Sequence, residues 1–296
     1  MMSKVRTVFK EGLFEGKVAL VTGGGSGIGL RIARELAKLG AHVFVAGRNP
    51  EKVERAAGLI REEGGRAWAL QMNIRQVDSI QKALDSLFEQ SGGALDLLVN
   101  NAGGQFPSPA ADISPKGWLA VVDTNLNGTF FVTQAVYNRL QSSTSPPPSA
   151  LTSNGLAIVN IVACFRNGMP GMAHSGAARA GVANLTKTLA IEWAASGVRI
   201  NALAPGVIDS SGLDSYAPHF RERIRQTSAS HAYAARMGTE EECAAITLFL
   251  LSPAASFITG QCLEMDGGLA LYNPQMPPSA HDLSIPFQDI PMRSKL

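Results

Sequence analysis

The stretch Thr22-Gly23-Gly24-Gly25-Ser26-Gly27-Ile28-Gly29 joins a short apolar run to an amphipathic one. The run before it, residues 17–22 (KVALVT), is apolar and β-branched, which predicts a buried strand. In residues 28–39 the apolar residues recur at helical spacing, and Gly40 follows where a helix ends. Glycines in such a turn let the backbone approach a phosphate, and the helix N-terminus offers it unpaired N–H groups. The sequence therefore predicts a phosphate-binding turn between the first strand and the first helix.

Short apolar strands and amphipathic helices alternate along the rest of the chain. The predicted strands are residues 17–22, 42–46, 67–72, 95–99, 156–162, 198–204 and 262–265, and the predicted helices are residues 28–39, 50–63, 77–90, 118–140, 175–195 and 240–251. Such alternation produces a parallel sheet covered on both faces through right-handed crossovers. We therefore predict the α/β class, as a single-domain Rossmann fold whose doubly wound parallel sheet has about seven strands with helices on both faces. We expect it to span residues 16–270, between an N-terminal extension (residues 1–15) and a C-terminal tail (residues 271–296).

The composition excludes several classes of function. The formal net charge of +2 leaves no chain-wide surface for a polyanion, so we expect no nucleic-acid partner. No apolar run reaches membrane-spanning length. The three cysteines, Cys164, Cys243 and Cys262, are far apart and match neither a metal-site spacing nor a disulfide framework. We therefore expect no metal site and a reducing compartment.

The end of the second predicted strand distinguishes between the two nicotinamide dinucleotides. NAD-binding turns of this kind carry an acidic residue here, which binds the 2′-hydroxyl of the adenosine ribose. This chain has Ala46-Gly47-Arg48-Asn49 instead, and a guanidinium can pair with a 2′-phosphate. The sequence thus predicts NADP(H), and Arg31 is a second candidate contact for its 2′-phosphate. Alternatively, Arg48 is a solvated residue at the start of a helix. Asn73 and Ile74, at the end of the third strand, are well placed for the adenine.

Four motifs occur in the order that a known family uses. They are TGGGSGIG at residues 22–29, NNAG at residues 100–103, NLNG at residues 125–128 and Pro205-Gly206 after the sixth strand. Over roughly residues 16–268 the chain resembles the short-chain dehydrogenase/reductase family. The resemblance implies that Asn125 holds a water near the reaction centre, that residues 205–208 cover the nicotinamide and that residues 209–237 form a substrate lid. The predicted cofactor-binding residues are then Gly23, Gly25, Ser26, Gly27, Ile28, Gly29, Arg48, Asn73, Ile74, Asn101, Ala102, Gly103, Arg179, Pro205, Gly206 and Ile208.

The usual catalytic set of that family is a serine, a tyrosine and a lysine four residues after the tyrosine, and this chain lacks it. In the register of the helix, Arg179 stands at the lysine position and Ser175 at the tyrosine position, while Val162-Ala163-Cys164 replaces the serine. A ketone reductase needs a group that exchanges a proton with the substrate oxygen, and a guanidinium does not deprotonate in proteins. Reduction of an α,β-unsaturated thioester instead needs a cation and fixed donors that stabilise an enolate oxygen. We therefore predict Arg179, Ser175 and Asn125 as the catalytic residues of such a reduction.

The sequence leaves the proton donor open. Ser175 is either a hydroxyl of the site or a cap at the start of the helix. His174 can donate a proton near neutral pH. Tyr216 and Tyr233 lie in the predicted lid, whose closure can bring one of them inward, although tyrosines in such segments are more often packing residues.

Three further stretches resemble a particular group within the family. Residues 103–106, 174–182 and 252–260 are similar to the peroxisomal trans-2-enoyl-CoA reductases and, next, to the 2,4-dienoyl-CoA reductases. The second group keeps a lysine where Arg179 stands, and the first places a proposed donor tyrosine where this chain has Ala183. The resemblance implies NADPH-dependent reduction of the α,β double bond of trans-2-enoyl-CoA thioesters in fatty-acid metabolism. The alternatives are a 2,4-dienoyl-CoA reductase, a cofactor-binding member without catalytic activity and, despite the missing phenol, a ketone or alcohol dehydrogenase.

The expected partners are a substrate, an import receptor and further copies of the chain. An acyl-CoA needs basic residues near the cleft mouth, for which Arg221, Arg223 and Arg225 are candidates; the alternative is a solvated helix face. The final Ser294-Lys295-Leu296 is the receptor-read address for peroxisomes, so we expect a peroxisomal protein. The resemblance implies a homo-tetramer, in which Trp193 and Tyr137 are candidate contacts.

Overall fold

The computed structural model of the protein describes residues 8–142 and 155–271. The predicted peroxisomal address, Ser294-Lys295-Leu296, and nearly all of the predicted tail lie outside the described residues, as does the first part of the predicted N-terminal extension.

Strands and helices alternate as expected through most of the chain. The strands are β1 (Val18–Thr22), β2 (His42–Gly47), β3 (Arg66–Gln71), β4 (Leu97–Asn100), β5 (Ala157–Ile161), β6 (Arg199–Pro205), β7 (Ile208–Asp209), β8 (Gly238–Thr239) and β9 (Cys262–Met265). The helices are α1 (Gly27–Lys38), α2 (Pro50–Glu62), α3 (Val77–Gln90), α4 (Pro115–Val122), α5 (Gly128–Ser142), α6 (Ala173–Glu192), α7 (Pro218–His231) and α8 (Glu240–Leu251). In the part of the chain that the structure describes, none of these helices combines the length and the apolarity that crossing a bilayer requires.

Seven of the strands form one sheet in the order β3-β2-β1-β4-β5-β6-β9, and every neighbouring pair is parallel. The predicted Rossmann fold is therefore confirmed. The two short strands β7 and β8 pair with each other outside this sheet. The order of the strands reverses between β1 and β4, and sheets of this kind bind their ligands outside the carboxyl ends of the strands at that point.

Helices cover both faces of the sheet, so successive strand residues are buried on opposite sides. In β1, Leu20 packs on one face and Val21 on the other, and both are fully buried. The face of Val21 is covered by α1, α2 and α8, and the face of Leu20 by α3, α5 and α6. Continuous apolar strands of this kind are typical of parallel sheets. The packed core fixes the positions of the strand ends that form the site.

The stretch predicted as one helix over residues 118–140 is longer and interrupted. It begins at Pro115, where the Ser114 hydroxyl accepts a hydrogen bond from the N–H of Gly117 at 3.1 Å. A π turn, Asp123–Asn127, separates α4 from α5. Hydrophobic spacing gives no signal for such a turn, and π turns are frequent at functional sites.

Trp193 and Tyr137, the predicted subunit contacts, pack against each other inside the subunit. Their rings stack at 4.0 Å with 3° between the planes, and Trp193 is buried. The hydroxyl of Tyr137 lies 2.9 Å from that of Ser196. The prediction was wrong for Trp193, because its ring belongs to the core rather than to a free surface.

Candidate active site

One cleft of about 1150 Å³ lies at the carboxyl ends of the central strands, where the strand order reverses. All the residues predicted to bind the cofactor line this cleft, from Gly23 after β1 to Ile208 in β7. The fold thus brings together short stretches that are far apart in the sequence. Of the predicted catalytic residues, Arg179 lines the cleft, whereas Ser175 and Asn125 are buried behind its wall.

The backbone of the glycine turn packs so closely against the end of β4 and against itself that side chains are excluded. Gly23 has a φ of +64°, and a Cβ on it would lie 2.8 Å from the Cα of Ala102. A Cβ on Gly29 would lie 2.5 Å from the carbonyl oxygen of Gly23. Ser26, the residue before α1, makes no side-chain cap, so the first N–H groups of the helix are available to an anion. These features fit the pyrophosphate of a dinucleotide.

The end of the cleft beside β2 and β3, where the sequence predicts the adenosine (the adenosine end), carries positive charge. Arg48 directly follows β2 and is exposed, and Lys52 and Arg75 line the same part of the wall. The described cleft wall includes neither Asp nor Glu. A dinucleotide with a 2′-phosphate therefore fits this end better than one with a free 2′-hydroxyl. Lys52 was not predicted from the sequence, although its position in the first turn of α2, four residues after Arg48, was a usable signal.

Arg31, the second predicted phosphate contact, lies elsewhere. It is buried in α1, where it donates to Glu35 at 2.7 Å and to Glu241 of α8 at 2.6 Å. It is not part of the cleft wall. That prediction was wrong, because the two carboxylates engage its guanidinium between the two helices.

Arg179 supplies a cation at the opposite end of the cleft. Its Nη1 donates to the carbonyl oxygen of Ile161 at 2.7 Å, which fixes the guanidinium at the end of β5. Its Nε has no hydrogen-bond partner among the described residues. Desolvation lowers the pKa of Arg179 to about 10, and the nearby Tyr216 acts in the opposite direction. Arg179 therefore stays charged at neutral pH, with donor capacity left for a ligand.

Gly103 lets this guanidinium and Asn125 come together beside the backbone. A Cβ at position 103 would lie 2.8 Å from Nη2 of Arg179 and 2.9 Å from Oδ1 of Asn125. The buried amide of Asn125, in the π turn, accepts from the N–H of Gly104 and donates to its carbonyl oxygen, both at 2.9 Å. Asn125 thus fixes the Gly103–Gly104 backbone, and the water predicted beside it stays a prediction.

Ser175 reaches the cleft through another side chain. It is fully buried, and its hydroxyl donates to Oε1 of Gln105 at 2.5 Å. Gln105 lines the cleft and donates from Nε2 to the hydroxyl of Tyr216 at 3.2 Å. Gln105 is not recognisable as a site residue in the sequence, because only the fold brings it next to Ser175.

The other open candidates lie outside the cleft wall. His174 is buried; its Nδ1 accepts from the N–H of Ser175 at 2.8 Å, and its ring contacts Phe106 edge-on. Tyr233 packs beside Gly268. Of the proposed proton donors, Tyr216 alone lines the described part of the cleft.

The arginines of α7 are exposed or half-buried and lie outside the cleft wall. Arg221 pairs with Asp214 at 3.0 Å, and Arg225 pairs with Glu222 at 3.5 Å. Pairs of this kind are typical of a solvated helix face. A contact between these arginines and coenzyme A stays a prediction.

Comparisons with known proteins agree with this geometry. A family model described as Enoyl-(Acyl carrier protein) reductase matches residues 23–270. A probable 2,4-dienoyl-CoA reductase ((2E)-enoyl-CoA-producing) of Bacillus subtilis (strain 168) is 40% identical over 256 residues, which cover 86% of this chain and 96% of that protein. A peroxisomal 2,4-dienoyl-CoA reductase ((3E)-enoyl-CoA-producing) of Danio rerio is 36% identical over 270 residues, which cover 90% of this chain and 86% of that protein.

A solved structure extends the likeness to three dimensions. The citronellol catabolism dehydrogenase of Pseudomonas aeruginosa PAO1 has a TM-score of 0.76 and 42% identity, covering 89% of this chain and 99% of that one. The cofactor is NADP(H), in agreement with the family and with the cations at the adenosine end. The chain is therefore an oxidoreductase that belongs to the short-chain dehydrogenase/reductase family.

Proposed function

We propose that the protein reduces the α,β double bond of trans-2-enoyl-CoA thioesters with NADPH, as a step of fatty-acid metabolism. The observation that carries this proposal is the guanidinium of Arg179 on α6. In the usual pattern of the family, which ketone reductases use, this position is a lysine, and a tyrosine lies four residues before it on the same helix. Ser175 replaces that phenol and is buried behind Gln105. The wall formed by α6 can therefore stabilise negative charge, but it does not exchange a proton with a ketone oxygen.

The chemistry requires an anion site next to the nicotinamide. When bound, NADPH supplies a hydride to the β-carbon of the substrate. Negative charge then develops on the thioester oxygen, and Arg179, held by the carbonyl oxygen of Ile161, stabilises it without rearrangement. Asn125 holds the backbone of Gly104 beside this point, which keeps the cleft wall in place.

A 2,4-dienoyl-CoA is the second candidate substrate. The relatives from Bacillus subtilis and Danio rerio bear the name of that activity. The electrostatic requirement is the same, because a hydride added at the far end of the conjugated system also places charge on the thioester oxygen. The two candidates differ in the length of the conjugated group, which a substrate comparison distinguishes directly.

The test is NADPH oxidation by the purified protein with crotonyl-CoA, trans-2-decenoyl-CoA, 2,4-decadienoyl-CoA and a 3-ketoacyl-CoA. We expect turnover of the 2-enoyl thioesters and little or none of the ketone.

We also expect Arg179→Met to lower kcat by about 100-fold and Arg179→Lys to retain part of the rate.

Each other outcome of this test has a definite meaning. Faster reduction of the dienoyl thioester favours the second candidate. Brisk reduction of the ketone alone contradicts both. NADPH binding without turnover of any thioester identifies a member without catalytic activity.

We further propose a peroxisomal location and a homo-tetramer. The relatives from Danio rerio and Mus musculus are named peroxisomal, whereas the Bacillus subtilis relative comes from a bacterium. Import of a fluorescent fusion with the intact Ser294-Lys295-Leu296, and its loss when these residues are removed, tests the location.

The tetramer is supported by exposed apolar side chains near α6 and β9, namely Ile191, Phe257 and Leu263.

A further inference from the structure

A phenol enters the cleft from the segment that follows β7. Tyr216 lies between β7 and α7, lines the cleft and packs its ring edge-on against Phe220 at 5.4 Å. It is the one tyrosine in the described part of the cleft wall. The helix α6, which would carry the phenol in the usual pattern of the family, has Ser175 in that place.

The hydrogen bonds around Gln105 determine what this phenol can donate. Oε1 of Gln105 accepts from the Ser175 hydroxyl at 2.5 Å, so its Nε2 faces Tyr216. Nε2 can only donate, and the Tyr216 oxygen therefore accepts at 3.2 Å. The hydroxyl hydrogen of Tyr216 is not used in this bond and is available to a ligand in the cleft.

Two buried residues hold Gln105 in this orientation. Ser175, on α6, binds its side chain, and Asn125, in the π turn, binds both backbone groups of the preceding Gly104. Ser175 and Asn125 are both almost completely buried. The position of the phenol is thus coupled to α6, which also carries Arg179, and to the π turn.

The charge near Tyr216 suits a proton donor. The guanidinium of Arg179 lines the same cleft, and Tyr216 lies close enough to act on the pKa of Arg179. A neighbouring cation stabilises the phenolate that remains after a proton has left. The cleft thus contains a phenol and a cation, contributed by different elements from those in the usual pattern.

We propose that Tyr216 is a catalytic residue that donates a proton to the α-carbon of the substrate, and that Gln105 and Ser175 are its positioning residues. This inference rests on the proposed function. The β-carbon gains a hydride from bound NADPH, and the π electrons of the double bond move toward the thioester oxygen. As the carbonyl re-forms, the α-carbon takes the proton from Tyr216, and the phenolate regains a proton from water.

The test compares Tyr216→Phe with Tyr233→Phe as a matched control, since Tyr233 lies in the same segment but outside the cleft wall. With trans-2-decenoyl-CoA, we expect Tyr216→Phe to lower kcat by about 100-fold to 10,000-fold, with NADPH affinity unchanged by fluorescence titration. In D2O, NMR of the wild-type product should show deuterium on one face of the α-carbon. Tyr216→Phe should label both faces, because water then supplies the proton. Tyr233→Phe should behave as the wild type in both measurements.

Gln105→Met tests the positioning role. Methionine keeps the length of the side chain but removes both hydrogen bonds. We expect a lower kcat with KM little changed, together with partial loss of the single labelled face, which a purely structural role would not alter. If Tyr216→Phe no longer binds NADPH, this second variant decides the question.

Four results would overturn the assignment. Wild-type kcat and a single labelled face in Tyr216→Phe would do so while leaving the proposed function intact. Equal losses in Tyr216→Phe and Tyr233→Phe would show an effect of packing rather than of the phenol. If Tyr216→Phe no longer binds NADPH, a single labelled face in the product of Gln105→Met contradicts the assignment of Tyr216 as the proton donor. A wild-type protein that reduces no conjugated thioester overturns the proposed function and this inference together.

Discussion

At the residue scale, Arg48 offers the most direct test of cofactor choice. It is exposed at the end of β2, beside Lys52 and Arg75, in a described cleft wall without carboxylates. One charge-assisted hydrogen bond to a phosphate contributes about 1.5 kcal/mol, which corresponds to roughly tenfold in affinity. We expect Arg48→Ala to weaken NADPH binding about tenfold and to leave NADH binding unchanged, as measured by fluorescence titration.

Arg55→Ala is the matched control for Arg48→Ala. Arg55 is an exposed arginine of α2, the helix that follows Arg48, and it lies outside the cleft wall. Its variant should bind both dinucleotides as the wild type does. Equal weakening of NADPH and NADH in Arg48→Ala would contradict a contact with the 2′-phosphate.

Cys164 belongs to the stretch Val162-Ala163-Cys164 that stands in place of the family serine, and its environment makes it a poor nucleophile. Burial raises the pKa of the thiol to about 12, and the carboxylate of Asp266, which accepts from Sγ at 3.4 Å, adds to this effect. The thiol is therefore protonated at pH 8. We expect iodoacetamide to label Cys164 at least about 100-fold more slowly than free cysteine, as followed by peptide mass spectrometry. In Asp266→Asn, Cys164 should be labelled faster than in the wild type. Rapid labelling of Cys164 in the wild type would contradict the conclusion that its thiol is a poor nucleophile.

The residues of the cofactor cleft could be predicted because each lies in a local pattern. The glycine turn, the NNAG motif and the end of β2 are contiguous stretches whose binding role can be predicted without knowing the fold. The bonds from Gln105 to Ser175 and to Tyr216 span 70 and 111 positions of the chain. Contacts of that range depend on the packing of α6 and on the path of the segment after β7, which no local pattern contains.

At the element scale, the start of α8 is fixed by a reciprocal cap. The Thr239 hydroxyl accepts from the N–H of Glu242 at 3.2 Å, while the Glu242 carboxylate accepts from the N–H of Thr239 at 3.0 Å. Arg236 pairs with the same carboxylate at 2.6 Å. We expect Thr239→Ala to lower the free energy of unfolding by about 1 kcal/mol in urea titrations, and Thr239→Ser to retain most of it. Equal stability of the alanine variant and the wild type would show that the cap contributes nothing.

The quality of the sequence prediction differed between elements for physical reasons. The bounds of α8 and β9 agreed with the prediction because glutamates mark the first turn of α8 and polar or turn residues flank both segments. The π turn of Asp123–Asn127 was not predicted, since one extra residue in a helical turn hardly changes the hydrophobic spacing. The two-residue strands β7 and β8 are too short to produce any periodic signal.

At the scale of the whole molecule, the proposed tetramer predicts a specific weak point. Phe257 is fully exposed, and Ile191 is 79% exposed at the end of α6. A charge placed among apolar side chains that a second copy covers has to be desolvated, so we expect Phe257→Glu to dissociate the tetramer. Light scattering after size-exclusion chromatography measures the result. Val77→Glu, at an exposed apolar position of α3, is the control and should stay tetrameric; a monomeric wild type would refute the proposal.

The reversal of strand order between β1 and β4 has a consequence for how this enzyme can change over evolutionary time. The cations expected to discriminate between the two dinucleotides follow β2 and β3, whereas Arg179, beside which we propose that the reaction takes place, is held at the end of β5. Under the proposed function, a lineage can therefore exchange one electron carrier for the other through substitutions near residues 48–52, while the chemistry at the acyl group continues unaltered. The two traits are inherited in one chain but open to selection separately.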